Sequence, residues 1–118
     1  MGFFQKNVVK TSVVNTSSSL EDKEGFAVKI DGTLTSSTGD YVYGIVSMGR
    51  PAGEASEIIV SGECEAEVNA SSAISVGSPL TGGANGRLVR ATIGSHIIRA
   101  IAKEALASGT GKIKVILY

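Results

Sequence analysis

The stretch 63-ECEAEV-68 alternates without a break: Glu63, Glu65 and Glu67 fall on one side of an extended chain, and Cys64, Ala66 and Val68 on the other. Successive side chains of a strand point to opposite faces, so this is a half-buried strand with a charged outer face, and Cys64 reads as a small core residue. The same reading extends outward to 26-FAVKI-30, 41-YVYGIVSM-48, 57-EIIVSG-62, 87-RLVRA-91 and 112-KIKVILY-118. Each has strand length and each is bounded by turn-forming residues. The last run sets Lys112 and Lys114 opposite Ile113 and Val115, and would neutralise the three glutamates if the two strands are neighbours.

Composition agrees with a β protein. The 118 residues are 42% hydrophobic but only 5% aromatic, with no tryptophan. A core made of Val, Ile and Ala favours pleated surfaces, because branched side chains lose rotamer freedom in helices. At this length folding buries roughly 65% of the extended chain's surface, enough for one modest core.

Two glycine-rich stretches invite a nucleotide-binding reading and fail it. A phosphate loop ends in Gly-Lys-Ser/Thr, so that amides, ammonium and hydroxyl converge on phosphate and magnesium. In 77-GSPLTGGANGRLVRA-91 no such ending follows Gly77. In 109-GTGK-112 the lysine is followed by Ile113, and Leu106 stands where the first glycine belongs. Both read as turns: Asn85-Gly86 supplies the positive φ angles of a tight hairpin, and Pro79 ends or flanks the preceding strand. The segment 96-HIIRAIAKEAL-106 is ambiguous, since apolar residues at 97, 98, 101, 102, 105 and 106 fit a helical face and a buried strand equally.

Residues 1–24 open with Phe3 and Phe4, continue through Val8, Val9, Val13 and Val14, and pass into 15-NTSSSLEDKEG-25. This reads either as an extended arm with a mobile polar linker or as an ordinary first strand. The N-terminus has neither the signal-peptide pattern nor a long apolar span, and Lys6 stands where myristoylation needs Ser or Thr. The sequons at Asn15 and Asn69 carry no weight without signs of secretion.

With one cysteine, Cys64, and one histidine, His96, the chain can form no internal disulfide and no His/Cys metal cluster. No nucleophile elbow accompanies His96, and the i, i+2 glutamates are what a solvated strand face looks like, so catalytic residues, metal and cofactor are all expected to be none. Charge is segregated along the chain. Residues 1–84 hold five basic and ten acidic side chains, net −5, while 85–118 hold six basic and one acidic, net +5. Either acidic and basic strands pair within the domain, or the surface has opposed flanks suited to contacts between identical subunits. The subunit-interface candidates are Glu63, Glu65, Glu67, Arg87, Arg90 and Arg99. The bases are too few for a nucleic-acid footprint.

The run 74-ISVGSPLTGGANGRLVRATIGSHIIRAIAKEALASGTGKIKVILY-118 resembles the C-terminal half of the small capsid decoration, or cement, proteins of tailed bacteriophages. The resemblance lies in an order of elements: Gly-x-Pro-Leu-Thr, a loop, Gly-Arg-Leu-Val-Arg-Ala, Ile-Ile-x-Ala-Ile-Ala-x-Glu-Ala, a Gly turn, and Lys-Ile-Lys-Val-Ile-Leu. More weakly, 44-GIVSMGRPAGEASEIIVSGECEAEV-68 is similar to the family's glycine-bounded strands, so the likeness covers about 25–118. Many such sequences have a glycine within the part matching 98-IRAIA-102, where this chain has Arg99 and Ala100.

The resemblance implies a strand over 96–102 with a short turn of helix at 103–107. Together with the strand pattern, it gives a mainly β chain: a small single-domain β-barrel or β-sandwich (25–118) with an extended N-terminal arm and polar linker (1–24) and at most one short helix. It also implies a structural virion protein, made in the host cytoplasm, that binds the outer surface of the expanded head as a homotrimer and clamps neighbouring major capsid proteins. No nucleic acid, membrane or enzymatic activity is expected. Residues 1–14 would add a strand to the capsid protein, with Phe3, Phe4, Val8 and Val9 as apolar anchors. The alternative is a tail, baseplate or head-fibre module that binds another virion protein or a host-surface glycan, for which Tyr41, Tyr43, Tyr118 and three phenylalanines offer few aromatics.

Overall fold

The computed structural model describes residues 8–118. Within them the chain forms eight strands: β1 (Val9–Val14), β2 (Ala27–Val28), β3 (Gly44–Met48), β4 (Ala55–Ala70), β5 (Pro79–Gly82), β6 (Leu88–Arg90), β7 (Ala100–Ala102) and β8 (Gly109–Leu117). A single 3₁₀ turn, Ala84–Gly86, joins β5 to β6.

The alternation at 63–68 belongs to a strand longer than the two expected runs. The stretches 57–62 and 63–68 are one unbroken 16-residue β4. Its first half lies between β1 and β3, with Ile59 facing both Lys10 and Ile45. Its second half pairs antiparallel with β8, from Gly62 opposite Leu117 to Ala70 opposite Gly109, and runs parallel to β6 at Val68–Leu88. Strands β6, β5, β7 and β8 complete a closed five-strand barrel. The fold is therefore a mainly β barrel with extra strands.

Gly62 explains how one strand serves two sheets. Its φ of 105° lies where L side chains are strained, so the strand bends there at little cost. Just before the bend the register slips: Val9 faces Ser61 whereas Lys10 faces Ile59. Such a bulge inverts the alternation, and Ile59 and Cys64 accordingly pack on the same core although one is odd and the other even.

The barrel core holds Ala66, Val68, Leu80, Leu88, Ala100, Ile113, Val115 and Leu117. Glu65 stays exposed and Lys112 and Lys114 point outward, as the period of two requires. Outside the barrel, Val13, Leu20, Val28, Val46 and Ile58 form a second cluster.

That cluster spans the expected boundary at residue 24. Val13 comes from β1 and Leu20 from the supposed linker, and both are buried. The Ser-rich stretch needs no apolar area of its own to be ordered. Asn15 is buried, donates from Nδ2 to the Gly32 carbonyl at 3.0 Å, and accepts from the amides of Ser17 and Ser18 at 2.9 Å each. Leu20 then anchors the far end, and its amide donates to the Arg50 carbonyl at 2.9 Å. Residues 8–24 are thus part of the packed body.

Four further expectations change. Of 26–30 only Ala27–Val28 pairs with β3, because the chain turns back at Lys29–Thr33. The stretch 109-GTGK-112 is no turn but the start of β8, with Thr110 opposite Asn69. Within 96–106 only Ala100–Ala102 is strand, and 103–107 is no helix: Leu106 instead bridges to Ile74 and closes one end of the barrel. Residues 79–82, expected within a strand connection, form strand β5. Pro79 opens β5, where a missing amide is harmless. The turn expected at Asn85-Gly86 is present, with φ of 60° and 71°.

Candidate interaction surface

Two strands build the charged face. Across the β4–β8 ladder Glu65 lies opposite Lys114 and Glu67 opposite Lys112, the pairing that the alternating charges implied. Glu63 takes a closer partner, Lys103, at 2.6 Å. Glu67 also meets Arg87, whose Nε lies 3.8 Å from the carboxylate. That is a charge contact too long for a hydrogen bond, which agrees with this Nε being a buried donor with no hydrogen-bond acceptor. The Arg87 guanidinium also rests over the Phe26 ring, 5.2 Å from its centroid.

Arg99 faces inward. Its Nε donates to the Val42 carbonyl at 2.7 Å, and one Nη donates to the carbonyls of Tyr43 at 3.2 Å and Val60 at 3.1 Å. The guanidinium also stacks 5.4 Å from the centroid of Tyr41. It joins the approach to β3, the middle of β4 and the lead into β7, a structural part that the sequence did not disclose. The nearest signal was Arg99 itself, within the 98–102 stretch where many resembling sequences carry a glycine.

Glu63, Glu67, Arg87 and Arg99 are thus engaged within the chain. Arg90 differs: its Nη1 donates to the Ala73 carbonyl at 3.3 Å and the side chain is otherwise exposed. Of the expected arm anchors, Val9 is 51% exposed on β1 and Val8 is half-buried. Phe3 and Phe4 lie outside the described residues. His96 pins its own loop, with Nδ1 accepting from the Thr92 amide at 2.9 Å. Among the described residues no group of three His, Cys, Asp or Glu side chains could hold a metal ion.

In fold, the chain is similar to a phage head-fibre base. The crystal structure of the head fiber gp8.5 N base in bacteriophage phi29 matches it with a TM-score of 0.57 and 17% identity, over 94% of each chain. No family model matches the chain, and no curated protein does. Since 6% of 118 residues is about seven, the likeness to the head-fibre base takes in most of 8–24 as well as the barrel.

Cys64 lies beside Glu63 on β4. Burial, with a smaller push from the Glu63 carboxylate, raises its thiol to about 11. An unfolded cysteine titrates near ~8.5, so the unfolded chain ionises first as pH rises. The associated stability is whole below that pH and is lost as pH climbs towards 11. Iodoacetamide at pH 8 should alkylate the native protein at least ~10-fold more slowly than the denatured chain. Equal rates would show that the thiol is not held protonated.

Proposed function

We propose that this chain is a structural component of a tailed-phage virion that binds the outer surface of the expanded head and holds major capsid proteins together, without catalytic work. The observation that carries the reading is the likeness in fold, along nearly the whole chain, to the base of a phage head fibre. The sequence resemblance to decoration proteins, in the order of elements over 74–118, points to the same surface. In this reading the protein acts as a homotrimer, and its partners are the capsid protein and its own copies, with neither nucleic acid nor membrane involved. Several weak contacts made at once would give each assembly its hold.

β1 is held along one edge by its ladder with β4, so residues 9–14 are part of the body and not of a detached arm. The apolar anchors of the arm are then Phe3 and Phe4, with exposed Val9 at the rim. Removing residues 1–7 tests this more cleanly than removing 1–14, which would also take Val13 out of the second core. The shortened chain keeps every residue of both described cores and should lose most of its binding to heads; undiminished binding would refute the anchor role.

The deciding experiment is co-sedimentation with expanded, undecorated heads, with unexpanded shells as control. Saturable binding to expanded heads alone is the expected result, and binding to neither sinks the proposal. The fold likeness also favours a second reading, the base module of a head fibre. Copies matching the shell's repeating sites would support the first reading. Sparse copies attached to a longer fibre protein would support the second.

A further inference from the structure

The turn between β5 and β6 carries Asn85 followed by Gly86, and the Asn85 side chain is exposed to water. Asparagine before glycine is the pair most prone to deamidation, because no side chain crowds the attacking backbone nitrogen. In that reaction a bond forms from Gly86 N to Asn85 Cγ, the Cγ–Nδ2 bond breaks, and ammonia leaves, the amide proton passing to it through solvent. Water then opens the five-membered imide at either carbonyl. The product is an aspartate or, with the main chain rerouted through the side chain, an isoaspartate.

Three features of the turn oppose the first step. Asn85 sits at φ 60° and ψ 30°, a left-handed conformation that asparagine tolerates. At that ψ the Gly86 nitrogen lies nearly anti to Cβ across the Cα–C bond, whereas ring closure needs the two nearly eclipsed. The Gly86 amide also donates to the Thr35 carbonyl at 2.9 Å, and Thr35 is itself tied by its own amide to the Ala27 carbonyl of β2 at 3.1 Å. Finally, Gly86 is buried: a Cβ built there would lie 3.0 Å from the Phe26 ring and 3.1 Å from the Leu34 side chain. The nitrogen cannot swing towards the side chain while that seat is closed.

We propose that Asn85-Gly86 is a latent modification site, latched by the Thr35 carbonyl and the Phe26–Leu34 seat, whose deamidation makes opening of this turn irreversible. An isoaspartate adds one carbon to the main chain between Ala84 and Gly86. That span is already fixed by the Arg87 N to Ala84 O bond at 3.2 Å and by the Thr35 latch. The next contact along is the Gly82–Leu88 pair of the barrel wall, so a longer turn would pull β5 and β6 out of register. The aspartate product keeps the chain length and a residue type that also accepts positive φ. The proposal is independent of the head-binding reading.

The test incubates the full chain at about pH 8, folded and in guanidinium chloride, and reads each asparagine by fragment-ion mass spectrometry. In denaturant Asn85 should react first among the four asparagines. In the folded chain it should react at least about tenfold more slowly, because a hydrogen bond and a packed turn must open beforehand. The aspartate and isoaspartate products are then separated, refolded and melted beside Asn85→Asp, which has the new charge without the added length. Asn85→Asp and the aspartate product should melt close to the natural chain, and the isoaspartate product well below it. Equal deamidation of Asn85 in the folded and denatured chains would overturn the latch. An isoaspartate product that melts like the natural chain, or one no worse than Asn85→Asp, would overturn the irreversibility.

Discussion

Replacement of Arg99 by methionine is expected to lower the melting temperature by about 10 °C, at ~4 °C for each kcal/mol in a domain of this size. Methionine keeps the unbranched stem as far as the Nε position and removes the donors, leaving the carbonyls of Val42, Tyr43 and Val60 without their charged partner. A hydrogen bond to a charged group contributes ~1.5–3 kcal/mol when desolvated. Because Arg99 is only part-buried, a total of about 3 kcal/mol for the three is the reasonable figure. Lysine should recover less than half of it, since a point charge cannot reach three carbonyls as a planar fork does. Thermal melts followed by circular dichroism decide the matter. An unchanged melt for Arg99→Met would mean that water replaces the guanidinium without loss.

The second large effect lies at Gly49. A methyl group there would run into the Leu20 carbonyl, which is backbone and cannot swing aside. Gly49→Ala should therefore push the 15–24 segment off the body, breaking the bond from Leu20 N to Arg50 O and exposing Leu20. Losing a fully buried leucine costs ~2–3 kcal/mol. Displacement of the segment also predicts rapid tryptic cleavage after Lys23 in the variant, against resistance in the natural chain. Equal digestion and equal melting would show that the two segments can separate without consequence.

These two sites mark where sequence reasoning succeeded and where it stopped. Strand β4 and its neighbour β8 were legible because each alternates charge against apolar residues, and a period of two survives translation into structure. The pairing of Glu65 and Glu67 with Lys114 and Lys112 followed directly. The extent of β4 was hidden, because Gly62 reads as a break and serves as a bend. β5 was hidden by its own small residues, which look like a loop until Leu80 and Thr81 are seen to be fully buried. The placement of 15–24 was invisible because its order comes from one asparagine folding the serine amides back on itself, a local device without periodicity. Among the interface candidates, charge singled out side chains without showing their partners: Arg99 is taken up by carbonyls, and no charge pattern reports a carbonyl.

The passage of β4 from one sheet into the other has a mechanical consequence. Two sheets that meet only through side chains can slide past each other under load. Here sliding would require β4 to come apart from β1 or β3 on one side of Gly62, or from β6 or β8 on the other. A pull arriving along β1 is spread as shear across its full ladder with β4, then carried by covalent bonds into the ladder with β8. The molecule bears tension along one continuous spar, and its rungs must give way together rather than peel one at a time.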